Sequence, residues 1–348
     1  MKALVFHGPG SKSWTDVPDA QLVDPTDVVV RVDTTTICGT DLHILKGDVP
    51  AVTAGRVLGH EAVGTITEIG SAVTDLKVGD RVLVPAITTC GKCGPCRSAM
   101  PSHCATVGGI GWIFGHLIDG TQAELVRVPH AETSVHVLPD SVTNDEAIFL
   151  ADVLPTGFEM GVQNAAVRPG DSVVVVGAGP IGLAAIKTAG LYGAATVIAV
   201  DVSESRLKRS TAFGADMTIN SEREDLRARV LEMTNGLGAN VAIEAVGIPE
   251  TFDVCTELVR PGGRIANVGV HGKPVTFHLE DLWIKNITLT TGLVNGTTVG
   301  MLLELLAHGK IDAGAFGTHS FQLDQMVDAY EVFANADTHD ALKVVISR

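Results

Sequence analysis

The chain has 348 residues and a mass of 36.3 kDa, more than one hydrophobic core usually fills, so two domains are expected, and a hydrophobic fraction of 45% is ample for both. A formal net charge of −15, a pI near 5.1 and the lack of any Lys/Arg cluster argue against nucleic acid or an anionic membrane surface as a partner. Residues 1–9 carry too short an apolar run for a signal peptide, and the most apolar region, residues 173–200, is broken by glycines, Pro180 and Lys187; a cytoplasmic protein without a membrane span is expected.

In chain order, residues 1–128 read as β-rich. Short β-branched runs at 3–6, 27–34, 62–69 and 81–85 are separated by Gly, Pro and Asp, with Gly79 at a bend that feeds the last of them. After Pro139 the texture changes, and helical spacing takes over from 144 to 164. An unbroken apolar run at 173–176 then leads into Gly177-Ala178-Gly179-Pro180-Ile181-Gly182, a helical pattern at 183–191 and a second apolar run at 196–200 that ends in Asp201.

Beyond it the expected elements are a helix at 203–213, a strand at 217–219, a helix opened by Ser221 and Glu224 in capping-box spacing, a strand at 241–246, a helix at 251–259 and a strand at 264–270. This strict alternation specifies a doubly wound parallel α/β sheet. Helices at 299–308 and 323–334 and a terminal strand at 342–346 are assigned back to the first domain, because the sheet already has its strands and the last run must pair somewhere. The domains are therefore expected at 1–154 with 296–348, and at 155–295.

The glycine turn points to a dinucleotide. Gly177 allows the tight bend, Gly179 lets the backbone approach a pyrophosphate, Gly182 lets the helix pack close on the strand, and the helix N-terminus at Pro180 and Ile181 faces the phosphates. Asp201 lies at the distance from the glycines where a carboxylate accepts a hydrogen bond from the adenosine ribose, which favours NAD over NADP, although Arg206 leaves dual use open.

Four of the six cysteines, Cys90, Cys93, Cys96 and Cys104, have the spacing that tetrahedral zinc accepts; such a closed site has no position for substrate and serves to pin a lobe with little core of its own. Cys255, on a helix of the alternating region, reads as a small core residue. A looser set comprises Cys38 in Cys38-Gly39-Thr40-Asp41-Leu42-His43, the pair His60-Glu61 after Gly59, and Asp152. By spacing alone these also fit a core thiol, a satisfied polar histidine and a helix cap.

Taken together, the Cys-Gly-Thr-Asp-x-His element, the Gly-His-Glu element, the four-cysteine lobe and the Gly-x-Gly-x-x-Gly turn resemble, in order and over nearly the whole length, the zinc-dependent alcohol dehydrogenases of the medium-chain dehydrogenase/reductase superfamily. The resemblance implies a β-rich GroES-like catalytic domain beside a Rossmann domain, two Zn2+ ions per chain, one catalytic and one structural, and NAD as cofactor. It implies Cys38, His60 and Asp152 as catalytic zinc ligands, with Glu61 as a neighbouring carboxylate. Asp in place of a third-ligand Cys is similar to bacterial secondary-alcohol dehydrogenases; those enzymes often use NADP and often lack the full cysteine lobe, whereas this chain has Asp201 and all four cysteines.

Further roles follow from the same resemblance. The proton is expected to leave through the Thr40 hydroxyl, the nicotinamide ribose and His43. Thr156 is expected against the nicotinamide ring, the Val268 and Val270 backbone at its carboxamide, and Lys343 at the pyrophosphate. Ala86, Trp112 and Leu293 are expected to line a pocket for a small, preferably secondary, aliphatic alcohol or the matching ketone or aldehyde, with a diol, polyol or threonine dehydrogenase as the alternative. An open zinc with one thiolate, one imidazole and one carboxylate would lower the pKa of an alcohol oxygen placed on it. Bacterial relatives are commonly tetramers, and the apolar segment 287–294 is expected to pair sheet edges in a homotetramer.

Overall fold

The computed structural model describes residues 1–348, which fold as two compact units: Met1–Asp152 with Asn295–Arg348, and Val153–Val294. No helix is long and apolar enough to cross a membrane.

The first unit opens with a hairpin of β1 (Lys2–Gly8) and β2 (Ser11–Asp16). Then come β3 (Val28–Thr36), α1 (Gly39–Lys46), β4 (Ala62–Ile69), β5 (Arg81–Val84), β6 (Leu125–Val128) and β7 (His136–Val137). Gly79, with φ +94°, occupies the left-handed conformation that the bend before β5 requires. The stretch read as helical over 144–164 is broken into short pieces, Asn144–Ala147, Ile148–Leu150, Val153–Pro155 and a π-helical segment Thr156–Gln163, so that Asp152 falls at a break rather than inside a helix.

In the second unit the order is β8 (Ser172–Val176), α2 (Pro180–Ala189), β9 (Thr196–Asp201), α3 (Glu204–Ala212), β10 (Met217–Asn220), α4 (Leu226–Met233), β11 (Ala239–Glu244), α5 (Pro249–Leu258), β12 (Val259–Asn267) and β13 (Thr288–Thr291). Six parallel strands form one sheet in the order β10-β9-β8-β11-β12-β13, a doubly wound arrangement whose central strands β9, β8 and β11 are buried on both faces and so read as largely apolar runs. Val174, Val176, Ile198, Val200, Ala242 and Ile265 form its core together with Cys255, which is fully buried and whose thiol is pushed well above its ordinary pKa by that burial. One local expectation is corrected here: Ser221 and Glu224 do not cap α4. Asp225 does, its carboxylate accepting from Ala228 N at 3.0 Å.

The chain then returns to the first unit with α6 (Val299–Ala307), β14 (Gly317–Gln322), α7 (Met326–Ala334) and β15 (Lys343–Ser347). β15 pairs antiparallel with β3, giving a seven-stranded sheet of order β14-β15-β3-β4-β5-β7 with β6 on β3. Leu4, Phe6, Ile37, Ile44 and Leu58 pack with Met326, Tyr330, Val344 and Ile346 from the returning segment, so the two ends of the chain share one core.

Candidate active site

Strand register brings the looser set of residues together. β3 and β4 are antiparallel with Thr35 opposite Ala62, so the residues that follow β3, up to Cys38, face those that precede β4, His60 and Glu61. Val84 of β5 lies opposite Ala62, and two residues later Ala86 N donates to Ala151 O at 2.9 Å, which delivers Asp152 to the same place. One ligand atom from each of Cys38, His60, Glu61 and Asp152 lies within 4.8 Å of the others. Cys38 Sγ is 3.5 Å and His60 Nε2 3.8 Å from Asp152 Oδ2.

The electrostatics of this cluster call for a cation. Burial would depress the His60 imidazole, yet Asp152, Cys38 and Asp41 around it outweigh that and hold its pKa well above the ordinary value. Burial raises the Glu61 carboxyl, and Asp152 adds to this against the opposing effect of Lys343. Glu61 Oε2 is buried without a hydrogen-bond partner. A sulfur, an imidazole nitrogen and a carboxylate oxygen around an anion-rich buried point are a donor set that fits zinc with room for one more ligand.

Lys343 joins the cluster from the returning segment. It is 1% exposed, and its ammonium donates to Glu61 Oε1 at 2.8 Å and to Ile37 O at 2.7 Å, so its charge is taken up beside Glu61. The cause is register: Val345 sits opposite Thr36, which sets Lys343, two residues earlier, beside the chain that runs on from β3. Burial opposes its charge, but Glu61, Cys38 and Asp152 raise its pKa nonetheless.

Thr40 and His43 lie three residues apart on α1, on one face, while Asp41 and Ile44 are buried on another. Thr40 Oγ1 is 3.7 Å from Cys38 Sγ, and half-exposed His43 shares its Nδ1 with Asp48 Oδ2 at 2.8 Å. Asp48 and Asp41 were missed from sequence, although Asp41 stands inside the Cys-Gly-Thr-Asp-x-His element. Its Oδ2 accepts from Cys38 N at 2.9 Å, and its Oδ1 is 3.7 Å from His60 Nδ1. Of the expected pocket residues, Ala86 is buried beside Ala151, and Trp112 presents an edge to His60 with ring centroids 6.2 Å apart while stacking on His116 at 4.4 Å. Leu293 belongs to the second unit.

The four cysteines 90, 93, 96 and 104 also converge within 4.8 Å, none in a disulfide. Cys93 Sγ lies 3.3 Å from Cys96 Sγ and 3.8 Å from Cys104 Sγ; zinc bonds of about 2.3 Å in a tetrahedron set sulfurs about 3.8 Å apart. Burial pushes both Cys90 and Cys104 up, and Cys104 stands at about 11. At Cys90 the Thr106 hydroxyl and the backbone N–H groups of Lys92 and Cys93 reverse the effect and bring it to about 6.

In the second unit the turn after β8 has the shape a dinucleotide needs. Gly177 has φ +101°, a Cβ at Gly179 would meet nothing within 4 Å, and a Cβ at Gly182 would lie 1.8 Å from the Gly177 carbonyl oxygen, so only glycine allows α2 to pack this closely. Asp201 ties the turn to β9: its Oδ2 accepts from Ala178 N at 2.7 Å and its Oδ1 from Ser203 N at 2.9 Å. Val202, Val246, Ile248 and Val270 remain exposed at the carboxyl ends of the strands, where α/β sheets take their ligands. Glu244, which sequence reading missed, organises this edge. Its Oε1 accepts from Val246 N, Gly247 N and Thr251 Oγ1, and its backbone carbonyl accepts from Val268 N and Gly269 N. Its only signal was an acid ending an apolar strand. Thr156 lies in the π-helical segment and Arg206 on α3.

Comparisons with known proteins agree with this geometry. The family described as alcohol dehydrogenase GroES-like domain matches residues 24–140, and the one described as zinc-binding dehydrogenase matches residues 180–308. The chain is 38% identical to an alcohol dehydrogenase of Cupriavidus necator, covering 99% of this chain and 98% of that one. It is 31% identical to the NADP-dependent isopropanol dehydrogenase of Entamoeba histolytica over 99% of this chain and 95% of the relative. Zinc dependent alcohol dehydrogenase 2 from Streptococcus pneumonia, solved in its apo form, superposes with a TM-score of 0.95 at 45% identity, covering 100% of this chain and 98% of that one.

Proposed function

The chain belongs to the zinc-dependent alcohol dehydrogenases of the medium-chain dehydrogenase/reductase superfamily, and from that premise we propose that it reversibly oxidises small alcohols, secondary ones by preference, to ketones or aldehydes with NAD. The observation that carries the reading is the convergence of Cys38, His60, Glu61 and Asp152 on one buried, anion-rich point. Cys38, His60 and Asp152 would hold the catalytic zinc, and Cys90, Cys93, Cys96 and Cys104 a structural one. The catalytic zinc supplies a Lewis acid that makes an alcohol oxygen easier to deprotonate, and NAD supplies the hydride acceptor.

The chain's own side chains divide the remaining work. Thr40, beside Cys38, would accept the alcohol proton at its hydroxyl oxygen while giving up its own hydrogen in the direction of His43, which, with Nδ1 engaged by Asp48, would take a proton up at Nε2 and release it there to solvent. Glu61 stays neutralised by Lys343 and keeps one oxygen facing the cluster. Ala86 and Trp112 supply apolar surface beside the cluster, and Leu293 is proposed as a third pocket residue. Thr156, Val268 and Val270 are proposed to hold the nicotinamide end. Asp201 supports NAD over NADP, since its carboxylate, fixed by two N–H groups, would repel a 2′-phosphate. The NADP-dependent relative makes this the point most in need of measurement.

We also propose a homotetramer in the cytoplasm. β13 is an edge strand with exposed Leu289, and Trp283 and Ile284 beside it are 68% and 67% exposed, a surface that suits pairing with a second copy. The six free thiols suit a reducing compartment. The test is NADH and NADPH formation by zinc-loaded protein with matched primary alcohols, secondary alcohols and vicinal diols. Turnover is expected to be fastest with secondary alcohols and NAD. A preference for diols would move the substrate to the polyol class, and no turnover with intact NADH binding would reject the dehydrogenase reading.

A further inference from the structure

A buried polar chain runs from α7 to the cluster. Tyr330, 1% exposed, donates its hydroxyl to Gln122 Oε1 at 2.8 Å. Gln122, fully buried, donates its Nε2 to Thr36 O at 3.1 Å and to Asp41 Oδ2 at 3.2 Å. These contacts fix the direction of every proton. Two acceptors, a carbonyl and a carboxylate, face the amide nitrogen, so the amide cannot be reversed without setting oxygen against oxygen. The phenol must then be the donor, and burial next to Asp41 pushes its pKa well above the ordinary value, which keeps its proton in place.

Asp41 Oδ2 is thereby saturated by Gln122 and by Cys38 N, and Asp41 Oδ1 has no hydrogen-bond partner of its own. The imidazole nearest to it is His60 Nδ1 at 3.7 Å. On the other side of the ring, Nε2 faces Asp152 Oδ2. A carboxylate held so that its free oxygen faces Nδ1 selects the Nδ1–H tautomer and leaves the Nε2 lone pair for a metal.

We propose that Gln122 and Tyr330 are positioning residues that act through Asp41 to fix the orientation and tautomer of His60 as a zinc ligand. This gives the returning segment a part in the chemistry: α7, nearly at the end of the chain, supplies the outermost member of the support for a ligand near its start. A network that merely tied α7 to the sheet would affect stability and would not distinguish one metal site from the other. The inference rests on the zinc reading above.

The experiment is chelator competition on the zinc-loaded full chain, following zinc content with rising dipicolinate, together with thermal melting. The variants are Tyr330→Phe, which removes only the hydroxyl, and Gln122→Met, which keeps the volume. Outer-shell partners of a ligand typically govern zinc affinity by about 10- to 100-fold. Zinc at Cys38, His60 and Asp152 is therefore expected to be held on the order of 10-fold more weakly in Tyr330→Phe, and nearer 100-fold more weakly in Gln122→Met, with the four-cysteine zinc unchanged. Tyr330→Phe alone decides the matter if Gln122→Met does not fold. Retention of both zincs within about two-fold of the parent, or equal loss of both with a lowered melting temperature, would overturn the inference. If the parent chain itself takes up only the four-cysteine zinc, the dehydrogenase reading fails, and this inference fails with it.

Discussion

The two cysteine-containing clusters of the first unit, one of four thiols and one of a thiol, an imidazole and two carboxyls, are built in opposite ways. Cys90 and Cys104 are 14 residues apart, and a short loop closes the whole set. Cys38 and Asp152 are 114 residues apart, and the Lys343 that neutralises Glu61 is 282 residues away from it. Closing the longer of the two cysteine-to-ligand loops costs roughly 2 kcal/mol more chain entropy than closing the shorter one. The local cluster needs only its own turns, which a zinc held there is proposed to stabilise. The long-range cluster exists only once β3, β4, β5 and β15 are paired, so it inherits its geometry from the sheet, and its proposed part is in the chemistry rather than the structure.

The sharpest way to break this comparison is to remove one ligand from each cluster. Cys38→Ser is expected to lower kcat on the order of 1000-fold, since several kcal/mol of charge stabilisation are lost, while the fold and one zinc per chain persist. Steady-state kinetics with zinc analysis checks it, and a large loss of stability would contradict the division of labour. Cys96→Ser is expected to do the reverse. It should cost on the order of 4 kcal/mol of stability by urea denaturation, with turnover retained by the protein that remains folded.

Next in size, Lys343→Met would leave Glu61 buried without its cation and is expected to cost about 3–5 kcal/mol, much of it recovered when Glu61→Gln is added. Additive losses in that double variant would show that the two side chains do not form a working pair. The smallest expected effect concerns pH. His136 on β7 pairs opposite Leu83 of β5, and burial lowers its pKa below the ordinary 6.5. The unfolded chain therefore binds a proton that the folded one refuses: stability is full above 6.5 and declines as pH falls from there toward the depressed folded value. His136→Gln should flatten the urea midpoint between pH 7.5 and that acid range, and an unchanged slope would remove His136 from the pH response of the sheet that assembles the long-range cluster.

What could be read in advance follows the same division. The alternating region was legible because parallel strands buried on both faces are continuous apolar runs, and Gly177 and Gly182 stand where only glycine fits. β2, with the sequence SKSWTD, was invisible because a half-exposed hairpin strand needs no apolar alternation. The cap of α4 was misplaced because Ser221 and Glu224 have the right spacing, whereas Asp225 has the contact. The contact of Lys343 with Glu61 was not legible because a lysine is expected to reach outward, and nothing local reveals that strand register buries it there.

The two-part α/β architecture, the glycine turn and the four-cysteine lobe are legible in the chain alone, because each is written in residues close enough to constrain one another directly. Cys38, His60, Glu61 and Asp152 were legible only as fragments of a family pattern. Tertiary structure alone decided that they meet, that Lys343 neutralises Glu61, and that Tyr330, Gln122 and Asp41 line up behind His60. Those relations depend on which residues of distant strands and helices fall opposite one another, and that register is set by burial of the whole sheet rather than by any stretch of chain.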